Sequence, residues 1–277
     1  MARLRKGGAA AWSHLTARPR PGKGGICLAV ALSLASGCGL AEYEERLKEE
    51  RARVKLIEQE RLQLADPVDL PQPHPDDVRP PALAEAIIYF RPPKAFQCKK
   101  TPEEAVSWNK APFLYRYAGK DGRDVFLACG LDPGQEVADF QDQVWKAFTH
   151  YVVKIQRRVP ADQFPAEPKL KKQEDRTPPR VGKDIPPQLK YDVWVCEEPD
   201  PKSEAKDGKK DTAAEAAGPA RYYLCFMRSG NVQVVIIYQV PLARAEDSSI
   251  QKGIDASLKS LAVGLDAMKR AQTAKRR

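Results

Sequence analysis

The side chains of this sequence best suited to chemistry are thiols and imidazoles, and they are few. Beyond residue 38 there are four cysteines, Cys98, Cys129, Cys196 and Cys225, and two histidines, His74 and His150. A serine or cysteine nucleophile needs an imidazole within hydrogen-bond reach of the attacking atom. Only His150 lies in a segment patterned to fold, and it sits off the apolar stripe of its own helix. No Cys-x-x-Cys pair occurs, which argues against a thiol redox centre or a zinc ribbon. The sequence also lacks a Gly-Lys-Ser/Thr phosphate loop, a Gly-x-Ser-x-Gly elbow and a His-Glu-x-x-His pair. The adjacent carboxylates Glu103-Glu104 and Glu197-Glu198 fall in segments that read as exposed, where solvation is their ordinary role. His74, with Asp76 and Asp77, lies among prolines on a linker, a poor platform for a metal. These residues point to no catalytic group, no metal and no cofactor. A non-catalytic module is expected, with a hydrolase or thiol redox enzyme as the alternative.

Charge narrows the partners. The chain has 277 residues, is 42% hydrophobic and 30% charged, and carries a formal net charge of +9. Residues 1–37 hold six of the 46 basic side chains (Arg3, Arg5, Lys6, Arg18, Arg20 and Lys23) and no acidic one. That leaves 40 basic against 37 acidic residues, and five of the 40 are Lys269, Arg270, Lys275, Arg276 and Arg277 at the end. Nucleic-acid binding needs clustered cations in the folded part. It is therefore not expected.

The basic N-terminal segment gives way to the apolar run Ile26-Cys27-Leu28-Ala29-Val30-Ala31-Leu32-Ser33-Leu34-Ala35. Basic then apolar is the order of a secretory signal. The run is about half of the roughly 20 residues that span a bilayer as a helix. Leu34-Ala35-Ser36-Gly37-Cys38 follows, small residues ending in a thiol. This segment resembles the lipobox of bacterial lipoproteins. The resemblance implies cleavage between Gly37 and Cys38, acylation of the Cys38 thiol, and a mature chain anchored by membrane lipid outside the cytoplasm. Gly39, where Asp would retain the chain at the inner membrane by the sorting rule of some diderm bacteria, leans the address outward. The partners then expected are membrane lipid through the anchor and an envelope protein or cell-wall component.

Behind Cys38 the elements that carry the side chains can be read in order. Residues 38–65 form an anchor and a helical stalk, dense in mixed charge and free of proline; Tyr43, Leu47, Glu50, Val54, Ile57, Arg61 and Leu64 share one face. Residues 66–82 form a proline-rich linker. A globular domain is expected over 83–270 and a basic tail over 271–277. Within the domain, strands are expected at Ala86 to Phe90, Phe113 to Ala118, Asp124 to Cys129, Tyr191 to Cys196, Arg221 to Arg228 and Val232 to Val240. The last of these is apolar at nearly every position, so it should be central and covered on both faces. Val137, Phe140, Val144, Phe148 and Tyr151 mark a first helix, and Ile250, Ile254, Leu258, Leu261, Leu265 and Met268 a second, running from about Ser249 to Arg270. Residues 156–189 read as an irregular proline-rich excursion and 197–220 as a disordered, low-complexity insert. The pattern predicts an α+β fold, an antiparallel sheet with helices packed on it, preceded by the helical stalk.

The closing unit, Tyr223-Leu224-Cys225-Phe226 to Val234-Val235-Ile236-Ile237-Tyr238-Gln239 and then Ala256-Ser257-Leu258-Lys259-Ser260-Leu261, is similar to the ending of Mog1/PsbP-type domains. The resemblance implies an α/β/α sandwich used for binding or assembly. In an oxidising exterior the four domain cysteines can pair in three ways. Cys196 with Cys225 would close the insert, and Cys98 with Cys129 would tie the first hairpin region. The competing reading makes all four small buried hydrophobes.

Overall fold

The computed structural model describes residues 25–70, 87–108, 111–131, 137–178, 188–199 and 218–275. His74, the proline-rich residues 71–86 and residues 200–217 of the insert lie outside these. The chain divides into two units, residues 1–51 and 52–277. Helix α1 (Gly25–Gln63) accounts for the described part of the first and continues into the second. Leu40, Tyr43 and Leu47 on this helix are exposed. Among the described residues no helix is long and apolar enough to cross a membrane.

In the second unit a sheet of seven strands takes the order β2 (Glu103–Trp108), β3 (Ala111–Tyr117), β4 (Val125–Leu131), β8 (Val232–Pro241), β7 (Ala220–Ser229), β6 (Lys190–Glu197) and β5 (Leu170–Asp175). Every neighbouring pair is antiparallel. The continuous apolar run of β8 places it fourth of the seven, and its interior is buried throughout. Side chains alternate across a strand. Val234, Ile236, Tyr238 and Val240 therefore enter one core, while Val235 and Ile237 enter the other.

Each core is closed by a helix. Helix α2 (Val137–His150) brings Phe140, Val144, Ala147 and Phe148 to one face. Helix α3 (Ser248–Ser260) brings Ile250, Ile254 and Leu258 to the other. Burying such a side chain fully contributes about 2 kcal/mol. The result is an α+β fold, an antiparallel sheet between helical layers. Asp247 caps α3, its carboxylate accepting from the Ser249 amide at 2.9 Å.

Three expectations need correction. The closing helix does not run on to Arg270. After Ser260 the backbone turns extended at Leu261 (φ −59°, ψ 133°), and β9 (Ala262–Val263) pairs with β1 (Ile88–Tyr89). Gly264 adopts φ +67°, which a side chain would resist, and helix α4 (Leu265–Lys275) begins. Leu261 remains in the core, but Leu265 is 71% exposed, so the apparent stripe runs across two separate helices and is not one buried face. Ala271 to Lys275 belong to α4 rather than to a tail.

The excursion over 156–189 contains an edge strand. β5 is Leu-Lys-Lys-Gln-Glu-Asp, which no β-propensity argument would select. It is held by its ladder to β6 and by Lys171, whose ammonium lies 4.5 Å from the Trp194 ring centroid. Lysines on an edge strand also discourage pairing with other chains.

The start of the expected linker is instead part of the domain. Leu64 is 3% exposed, and Val68 and Leu70 pack on the core beneath α3. The Ala65, Val68 and Asp69 amides donate to the carbonyls of Pro92 (3.0 Å), Phe90 (3.2 Å) and Lys100 (3.0 Å). Leu64 to Leu70 is an extended strap along the domain's surface.

Four fully buried tyrosines pin these layers, each donating from its hydroxyl. Tyr117 donates to the Asp69 carbonyl of the strap (3.0 Å), Tyr191 to the Leu258 carbonyl (2.8 Å), Tyr238 to Ser257 Oγ (3.0 Å) and Tyr222 to Glu198. Burial raises all four phenols above the ordinary value of 10.0. A raised folded pKa adds stability that is complete below the unfolded value and is lost as pH rises past it. Tyrosinate absorbance during alkaline titration should therefore show these four of the nine tyrosines ionising late, together with loss of structure. Smooth ionisation of all nine near the ordinary value, with the fold intact, would contradict this packing.

Candidate functional site

Neither expected disulfide forms, and the sheet register explains why. Cys196 and Cys225 lie on adjacent strands but belong to opposite cores, Cys196 with α2 and Cys225 with α3. Cys98 lies beside Asp124 and Val125, whereas Cys129 is four residues further along β4, roughly 13 Å at strand rise. A disulfide needs Cα atoms about 5 to 6 Å apart. Cys98, Cys196 and Cys225 are free thiols. Burial pushes Cys98 and Cys196 up to about 12, and Cys225 is raised as well. Such thiols are poor nucleophiles at neutral pH.

The other sequence candidates also separate. His150 is exposed at the end of α2. Among the described residues no group of three His, Cys, Asp or Glu side chains could hold a metal. Glu198, read from sequence as solvated, is buried. Its carboxylate accepts from Arg158 Nε (2.8 Å) and Nη2 (3.1 Å), the Ala220 amide (2.8 Å) and the Tyr222 hydroxyl. Arg158 Nη2 also donates to the Gly218 carbonyl (2.8 Å), and the Glu198 amide donates to the Ala220 carbonyl (2.9 Å). This clamp fastens the two ends of the charged insert. Asp124 is equally occupied, accepting from Arg116 Nε (2.7 Å) and the Gly119 amide (2.8 Å) to fix the β3–β4 turn. Carboxylates so fully hydrogen-bonded serve the fold.

A cleft of about 470 Å³ lies where the last turn of α1 meets the strap and α4. Its walls include Ile57, Pro67 and Tyr89, and its rim carries Arg61, Arg91, Lys269 and Arg270 against Glu60 and Asp66. Arg91 is the keystone. Its Nε donates to the Ala65 carbonyl (2.8 Å), Nη1 lies 3.9 Å from Glu60, and its own carbonyl accepts from Ser257 Oγ (2.6 Å). Arg270 Nη1 donates to the Ser260 carbonyl (2.8 Å), satisfying the C-terminus of α3. Asp66 pairs with Lys100 at 2.9 Å, and that hydrogen bond lowers its pKa. The Arg61 and Lys269 side chains are exposed and engage no acidic group among the described residues. Glu60 is thus answered by Arg91 and Asp66 by Lys100; Arg270 is turned to backbone carbonyls, and the exposed Arg61 and Lys269 remain over. The lining therefore carries a net positive charge.

Its residues come from four separate stretches of chain, so no local motif announces it. The only sequence signals were Arg61 on the stalk face and the basic run at Lys269 and Arg270.

No family model matches the sequence, and no curated protein matches it. Among solved structures the chain is similar to a crystal structure from Bacteroides thetaiotaomicron VPI-5482 at 1.50 Å resolution, with 8% identity and a TM-score of 0.31. The match covers 66% of this chain and 46% of that one, so the chain spans less than half the length of that protein.

Proposed function

We propose that this chain is an extracytoplasmic bacterial lipoprotein, exported by residues 1–37 and acylated on Cys38. Its folded unit serves as a non-catalytic module that docks an anionic envelope partner, a protein or cell-wall polymer presenting carboxylates or phosphates. The cleft supports the binding half of this reading, because Glu60 and Asp66 are already paired with Arg91 and Lys100 while the exposed Arg61 and Lys269 are left over. The Leu34-Ala35-Ser36-Gly37-Cys38 segment supports the address, and Gly39 favours the outer membrane of a diderm cell. An enzyme is the less supported reading, since His150 is exposed while the Cys196 and Cys225 thiols are buried, and the buried carboxylate of Glu198 is taken up by fold-holding hydrogen bonds.

Reversing the two surplus charges, Arg61→Glu with Lys269→Glu, tests the cleft without touching the core. Recovery of envelope partners on the lipidated full-length protein should fall at least about tenfold, which corresponds to roughly 1.4 kcal/mol. The wild-type interaction should also weaken with salt, since exposed charges are screened beyond about 10 Å at 0.1 M. Unchanged recovery by the reversed variant would remove the cleft from the binding role.

A further inference from the structure

Among the described residues ten large hydrophobic side chains are exposed, and four of them lie along one line of α1: Leu40 (63%), Tyr43 (62%), Leu47 (37%) and Val54 (51%). At about 3.6 residues per turn the four fall within an arc of roughly 60°. An apolar line this narrow, with charged residues on either side, has the form of a helix-pair seam rather than of a broad core-facing stripe.

The charges of the helix are divided along its length. Residues 42–50 carry five glutamates against Arg46 and Lys48, a net −3, whereas residues 51–57 carry Arg51, Arg53 and Lys55 and no acidic side chain, a net +3. Two such helices laid parallel set acidic against acidic and basic against basic. Laid antiparallel, the acidic half of each meets the basic half of the other. Glu44 and Arg51 bring the same match down to single residues. Both are exposed, they are two turns apart, and they border the apolar line on the same side.

We propose that α1 pairs antiparallel with α1 of a second copy of this chain. Tyr43 of each copy packs against Val54 of the other, the two Leu47 side chains flank the centre, and Glu44 of each copy meets Arg51 of the other along one edge of the seam. Glu50 interrupts the apolar line, which costs affinity and fixes the register, as a lone polar residue does in a coiled coil. The association is therefore reversible. It rests on neither the basic cleft nor the lipid. Where Cys38 is acylated, the two anchors stand at opposite ends of the pair, which then lies along the membrane surface.

Sedimentation of the full-length protein in detergent tests it directly. The protein should pass from monomer to dimer as its concentration rises through the micromolar range. Glu44→Arg or Arg51→Glu alone should weaken the dimer about tenfold, because each change turns two attractive contacts repulsive. The two changes together should restore it, since the swapped pair is complementary again between antiparallel copies. Leu47→Ser with Val54→Ser should leave only monomer, and because both side chains are exposed, the melting temperature should not change. The proposal is overturned if the protein is monomeric at every concentration, if the single charge changes leave its association as it was, or if the double swap stays as weak as either single change.

Discussion

Replacing Glu198 with alanine is expected to destabilise the fold by about 3 to 5 kcal/mol, the cost of breaking a buried ion pair from one side. For a unit of this size that lowers the melting temperature by roughly 10 °C. The cause is specific. Arg158 would keep a guanidinium that is only 14% exposed, and the Tyr222 hydroxyl and Ala220 amide would lose their acceptor. Replacing both charges by Met, Arg158→Met with Glu198→Met, should cost less than the single change, because no lone buried charge remains. A loss under about 1 kcal/mol for Glu198→Ala, by denaturant or thermal unfolding, would show that the clamp does not hold the ends of the insert.

The second large effect concerns the anchor. Cys38→Ala should eliminate incorporation of labelled palmitate and move the protein out of the membrane fraction, or leave it as an uncleaved precursor. One acyl chain gives only marginal membrane affinity, on the order of 10⁴ M⁻¹, whereas two or three make attachment durable. Residue 38 lies outside the unit of residues 52–277, so the melting temperature of that unit should not change. Label retained on the variant would place the acyl group on another residue.

The parts of the fold that sequence revealed are those where burial dictates composition. Val232 to Val240 must be apolar on both faces to sit fourth in the sheet, and the run says so. Phe140, Val144 and Phe148 recur at helical spacing because one face of α2 is buried. Edge positions carry no such demand. β5 is polar and charged because its side chains meet solvent, so nothing marked it as a strand except the ladder it joins. The break between α3 and α4 had a single signal, Gly264, set against a continuing step of Leu261, Leu265 and Met268. Cysteine pairing failed for a geometric reason: strand ends gave proximity, but the pleat sends Cys196 and Cys225 to opposite faces.

The candidate sites were less legible than the fold. Glu198 looked solvated because its partner, Arg158, is 40 residues away. The cleft gathers the end of α1, the strap, the segment after β1 and α4, none of which carries a motif. In each case the arrangement comes from side chains far apart in the chain that only the fold brings together.

Intact-mass and N-terminal analysis of the protein purified from membranes tests the central claim most directly. The expected result is a chain beginning at Cys38, heavier than its sequence by a diacylglycerol group, with or without a further acyl chain on its new amino terminus. A chain that begins at any other residue, or at Cys38 with an unmodified thiol, would contradict it.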